Sequence, residues 1–286
     1  MYPFIHIGPL TLGTYGLMVA IALICAFFVL RADFARRGVS ADAEAIIGIT
    51  GLAGLAGSRL YHLLESPTEF FADPWSQLFS TMGFAFAGAI IGGFIALLFL
   101  AWRFRMKPLL MLDAASPAAA LGYGIGRIGC LTSGDGDYGI ATNLPWGMAF
   151  HPLEPGSRIL YFIRIDHGAL VPSYGRDVRG LPLDGIVPVH PTPIYEFLVA
   201  LLIFWFLWKL GERCFKKRAP NGIVFSAYLV VTGIARFLVE IIRINPRSFY
   251  GMSNAQAASL VSIVAGIILF VSIRQAPVTT AKPRRV

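Results

Sequence analysis

The chain has 286 residues, 56% hydrophobic and 14% charged, with 24 lysines and arginines against 16 aspartates and glutamates and a net charge of +8. A soluble domain of this length carries about 25% charged residues, so the deficit and the mean hydropathy of +0.67 exclude an ordinary soluble fold and point to a bilayer as solvent. No basic patch is interleaved with stacking aromatics in a polar region, which excludes nucleic acid as a partner.

Seven segments approach the length of about 20 apolar residues that crosses the hydrocarbon: 13–30, 45–64, 83–102, 109–127, 194–210, 222–242 and 256–273. The predicted fold is therefore an all-α polytopic membrane protein of about seven transmembrane helices, one integral domain over 1–286. Nothing positive precedes the first run, so it reads as a retained span and not a cleavable signal. The fourth is the weakest. It holds Asp113 and Pro117 among alanines and glycines, and such a helix needs close neighbours.

Basic residues gather on alternate connections. Arg31, Arg36 and Arg37 follow the first span; Arg103, Arg105 and Lys107 the third; Lys209, Arg213, Lys216, Lys217 and Arg218 the fifth; Arg274, Lys282, Arg284 and Arg285 the last. The second connection has Glu65, Glu69 and Asp73 and no lysine or arginine. Basic loops face the cytoplasm, which predicts the N-terminus outside and the C-terminus inside. The long fourth connection, 139–190, then lies outside. Its turn signals and the run "ILYFIRI" predict a small periplasmic cap. No internal repeat is visible, which disfavours an inverted-repeat transporter.

Four arginines sit deep. Arg59 lies in the second span, Arg127 ends the fourth, Arg236 lies in the sixth and Arg243 closes it. An arginine at bilayer depth costs at least about 2.5–3.5 kcal/mol, so each requires a polar partner or a ligand. Arg236, Glu240 and Arg243 stand at i, i+4 and i+7 and share a helix face. An Arg236–Glu240 pair would be self-neutralising, but Glu240 alone neutralises only one arginine. The other reading is an anionic lipid headgroup, whose phosphate oxygens match the guanidinium fork.

The stretch "GYGIGRIGCLTSGDGDYG", 122–139, permits several readings. "GIGRIG" has the dinucleotide spacing but follows a span, where that motif needs a strand before it and a helix after. Gly122, Gly124 and Gly126 suit helix packing through small residues, and glycine also lets backbone approach a headgroup. Asp135 and Asp137 make a poor cation site, since hard cations want more oxygens; a turn or a counter-charge to an arginine is the alternative. Cys25, Cys130 and Cys214 form no CxxC pair, so no disulfide framework or metal site follows. In "HPTPIYEF", His190 is a candidate proton acceptor or a boundary residue. Tyr195 and Glu196 sit just inside the fifth span, as Tyr15 does in the first.

Taken in order, "TYGLM", "GSRL", "GRIGC…GDGDYG", "HPTPIYE", "GIARFLVEIIR" and "GMSNAQAASLVSIVAG" resemble the prolipoprotein diacylglyceryl transferase family from the first span to the last. The resemblance implies an enzyme of the bacterial cytoplasmic (inner) membrane with no cofactor. Such enzymes transfer diacylglyceryl from phosphatidylglycerol to the lipobox cysteine of a prolipoprotein signal peptide, and glycerol phosphate leaves. It implies substrate binding by Arg127, Tyr15, Tyr195 and Glu196, and essential roles for Arg236 and Glu240. Arg59, Arg243, Asp135 and Asp137 are added here as binding candidates, and His190 as a catalytic one. The chain departs from the family in "AFAGA", where Ala87 replaces a histidine proposed as the base, and in Cys130, which replaces an asparagine. Two other functions fit less of the chain: a non-catalytic paralogue that binds anionic lipid or lipobox peptide, and a lipid or small-solute transporter.

Overall fold

The computed structural model describes residues 4–8, 10–79, 85–133, 138–140, 142–149, 163–166, 169–172, 188–243, 245, 247 and 249–275. Contacts divide the chain into two compact units, 1–135 and 136–286.

The first unit opens with an antiparallel hairpin of β1 (Phe4–Ile7) and β2 (Leu10–Gly13). Then come α1 (Thr14–Arg37), α2 (Ala43–Glu65), the short α3 (Pro67–Ala72) and α4 (Pro74–Phe79), α5 (Phe86–Arg103) and α6 (Pro108–Ser133). The first packs chiefly on α6, and α2 on α5. The α2–α5 contact is backbone on backbone. A Cβ on Gly57 would lie 2.5 Å from the Gly88 carbonyl oxygen, closer than any real side chain comes, and the Ala85 amide donates to the Ser58 carbonyl at 3.2 Å. Lipid provides little apolar drive for helix association, so small residues that admit such proximity decide the pairing.

Arg36 and Arg37, read as loop charges, lie in the last turn of α1 and both engage the buried carboxylate of Asp33. Asp42 caps α2, accepting from the Glu44 and Ala45 amides at 3.0 and 3.1 Å.

The second unit holds α7 (Thr192–Lys216), α8 (Ile223–Ile242) and α9 (Asn254–Gln275). Here α8 packs on both neighbours, and the Ser262 hydroxyl donates to the Leu229 carbonyl at 2.9 Å. Short ladders precede them: β3 (Met148–Ala149) pairs with β6 (Pro188–Val189), and β4 (Ile163–Asp166) with β5 (Ala169–Pro172). The second of these contains the end of the strand-like run. Most of the expected cap, 139–190, lies outside the described residues.

Among the described residues six helices are long and apolar enough to cross a membrane: α1, α5, α6, α7, α8 and α9. The expected second span forms α2. Its 23 residues reach about 35 Å at 1.5 Å per residue, long enough to cross, but it carries Glu44, Arg59, His62 and Glu65 and is not among the six. The weak fourth span forms the most buried of the six, with half of its apolar window inside the protein. The chain is thus an all-α multi-pass membrane protein.

Candidate active site

Helix α6 runs six residues beyond Arg127, further than the expected end. In its last turn the Ser133 hydroxyl donates to the Cys130 carbonyl, one of the four that lack an intrahelical donor, at 3.3 Å, and the Thr132 hydroxyl bonds back to the Ile128 and Gly129 carbonyls at 3.0 and 3.1 Å. Arg127 therefore projects from the side of a helix, not from its end. Its guanidinium lies 5.0 Å from the Tyr123 ring centroid and 3.8 Å from the Cys130 sulfur. A cation over an aromatic face is attracted by the ring quadrupole.

Tyr15, in the first turn of α1, lies against α6. A Cβ on Gly129 would meet its ring at 3.2 Å. The glycines expected to pack helices do so unevenly: a Cβ on Gly122 or Gly126 would meet nothing within 4 Å among the described residues. Arg59 is 8% exposed on α2. Asp135 and Asp137 lie outside the described residues.

The second unit gathers the other charges. Arg236 of α8 donates to Glu196 of α7 at 2.6 Å and lies 3.0 Å from Glu240 one turn on. Arg243 reaches the other Glu196 oxygen at 3.3 Å, and its Nε lies 3.6 Å from Glu240. Two guanidiniums and two carboxylates alternate, so formal charge cancels within the quartet. Three of the four side chains are at most 3% exposed, while Arg236 keeps 24%. Asn245 donates to the Glu240 oxygen that the arginines do not engage. The i, i+4 pair read from the sequence is present, but it is half of the arrangement, and Glu196 is the second carboxylate that the spacing within α8 left unaccounted for.

Two residues unforeseen in the sequence hold the end of α8. Arg247 donates to the Glu240 and Ile241 carbonyls at 3.1 and 3.2 Å and to the Gln256 side chain at 2.5 Å. Gln256 in turn forms a reciprocal cap with Ser253: the Ser253 amide donates to Oε1 at 3.1 Å and the Gln256 amide to Oγ at 3.2 Å. Serine followed three residues later by glutamine is a legible capping box. The carbonyl clamp by Arg247 had no signal.

Backbone from three segments meets beside Arg243. The Gly139 amide donates to the His190 carbonyl at 2.9 Å, Ile140 to Ile242 at 2.8 Å and His190 to Ile140 at 3.1 Å. Gly139 bridges Arg243, and a Cβ there would lie 2.9 Å from the Ile242 carbonyl oxygen. Gly139, the last residue of the glycine-rich stretch 122–139, is thus required for close approach. His190 Nδ1 lies 3.1 Å from the Tyr195 hydroxyl, which accepts from Trp146 Nε1 at 2.8 Å. Trp146 was not a sequence candidate.

A model of the family described as prolipoprotein diacylglyceryl transferase matches residues 3–272. The chain belongs to the prolipoprotein diacylglyceryl transferase family. Among curated relatives, the phosphatidylglycerol--prolipoprotein diacylglyceryl transferase of Clostridium tetani is 30% identical over 266 residues, covering 90% of this chain and 91% of that one. That of Erwinia tasmaniensis is 29% identical over 273 residues (93% and 89%), and that of Geobacter sulfurreducens 28% over 246 (84% and 81%). Within this diacylglyceryl transferase family fold, Ala87 is exposed on the first turn of α5, and Cys130 is buried with Arg127 donating to it.

Proposed function

We propose that the chain transfers the diacylglyceryl group of phosphatidylglycerol to the lipobox cysteine of a prolipoprotein signal peptide. The thiol sulfur bonds to the glyceryl carbon, the carbon–oxygen bond to phosphate breaks, and a thioether forms. The diester anion becomes a monoester, and the thiol proton balances as a proton on the departing glycerol phosphate. Charge is conserved without a cofactor.

The observation that carries this reading is Arg236. It is anchored by two carboxylates yet keeps a quarter of its side chain exposed. A guanidinium held in place and still partly exposed stabilises charge that develops on a leaving phosphate, often the largest single contribution to catalysis. Glu240 and Glu196 orient it, and Arg243 balances them. The same reading gives Arg127, Tyr15, Tyr195 and Arg59 substrate-binding roles by the family resemblance and their depth in the sequence, and gives such a role also to Asp135 and Asp137, which lie outside the described residues. The alternating charges orient the N-terminus outward and the C-terminus to the cytoplasm of the bacterial inner membrane, with 139–190 as the periplasmic cap.

The test is release of glycerol phosphate by purified protein in detergent, given phosphatidylglycerol and a lipobox peptide. Release should require the peptide and fall on the order of a hundredfold or more in Arg236→Ala and Arg127→Ala. Unchanged turnover in either variant would remove that arginine from the site, and no release by folded parent protein would refute the reading.

A further inference from the structure

The hydrogen bonds around His190 constrain where its proton resides. An indole nitrogen can only donate, so in the 2.8 Å contact with Trp146 the Tyr195 oxygen accepts. The phenol has one proton of its own. Among the described residues the His190 Nδ1 atom, at 3.1 Å, is the acceptor placed to receive it. A nitrogen that receives a hydrogen bond carries no proton, so a neutral imidazole must bear its proton on Nε2.

Backbone keeps all three residues in place. Trp146 lies two residues before β3 and His190 one after β6, and Met148 pairs with Val189 across that ladder. Both sides of the His190 peptide are pinned: its amide donates to Ile140, and its carbonyl accepts from Gly139 and Thr192. Tyr195 rises from the first turn of α7, its ring edge-on to the imidazole with centroids 6.0 Å apart.

We infer that Trp146 and Tyr195 are positioning residues that lock His190 as the neutral Nε2–H tautomer. His190 then serves as a hydrogen-bond donor to an oxygen of the substrate, not as the acceptor of the thiol proton. Trp146 acts at one remove. Its donation polarises the phenol, which strengthens the bond to Nδ1 and opposes the form in which Nδ1–H would donate to the same oxygen. The catalytic consequence rests on the transferase reading; the tautomer does not.

Nitrogen-15 NMR of the full chain with labelled histidine, in detergent, tests this directly, with His190→Gln assigning the signal. The parent should show an unprotonated Nδ1 and a protonated Nε2. Trp146→Phe and Tyr195→Phe should each move the signal toward a mixture of tautomers. A proton on Nδ1 in the parent, or a tautomer indifferent to Trp146→Phe, would overturn the inference. In the transfer assay Trp146→Phe should lower kcat about three- to tenfold with KM unchanged. The double variant should be no slower than Tyr195→Phe alone, and additive losses would also count against it. Absence of transfer in the parent would sink the proposed function while leaving the spectroscopic result to stand or fall alone.

Discussion

Glu196 accepts from Arg236 at 2.6 Å through one oxygen and from Arg243 at 3.3 Å through the other. One carboxylate on α7 thereby fixes Arg236 on α8 and Arg243 at its C-cap, about two turns apart. Removing one partner of a buried ion pair leaves a charge inadequately compensated and costs about 3–5 kcal/mol. Glu196→Ala is expected to lower the melting temperature in detergent sharply and to abolish transfer. A variant as stable as the parent would mean that the pairing contributes nothing to the fold.

Arg236 touches Glu196 and Glu240 through separate nitrogens. Lysine has a single ammonium and lacks the planar fork, so Arg236→Lys retains the charge but not the geometry. Transfer should fall on the order of a hundredfold, with a smaller loss of stability than in Glu196→Ala. Turnover and thermal melting measured on the same preparation separate the two effects.

Gly139 has no room for a methyl group. Its Cβ would stand 2.7 Å from that of His190 as well as against the Ile242 carbonyl. Gly139→Ala should destabilise the second unit by about 1–3 kcal/mol, the usual cost of overpacking. The amides of Ile140 and His190, which close this junction, should exchange faster with solvent. Unchanged exchange would show that the segments meet more loosely.

Arg247 and Gln256 join the end of α8 to the start of α9. Arg247→Ala removes donors from the Glu240 and Ile241 carbonyls, and Gln256→Ala breaks the reciprocal cap. Each should cost about 1–2 kcal/mol. Because both act through the Arg247–Gln256 bond, the double variant should lose less than the two added together. Full additivity in thermal melts would count against a single clamp.

Much was legible without a fold. Apolar run length placed the helices, because crossing the hydrocarbon imposes a length and composition that each segment must satisfy alone. Spacing within α8 put Arg236, Glu240 and Arg243 on one face for the same local reason. Even so, Arg127 was expected at a helix end and lies six residues inside one, because α6 continues through Ser133.

The sequence by itself determined a multi-pass helical membrane protein, the family to which it belongs, and arginines too deep to lack a purpose. Only the tertiary structure decided their partners. Glu196 meets two arginines 40 and 47 residues away, Trp146 meets a tyrosine 49 away, and Gly139 bridges Arg243. Periodicity reports which face of a helix is polar. It does not report which other face it will meet, because that depends on small residues admitting one backbone to another and on buried charges finding complements across the chain.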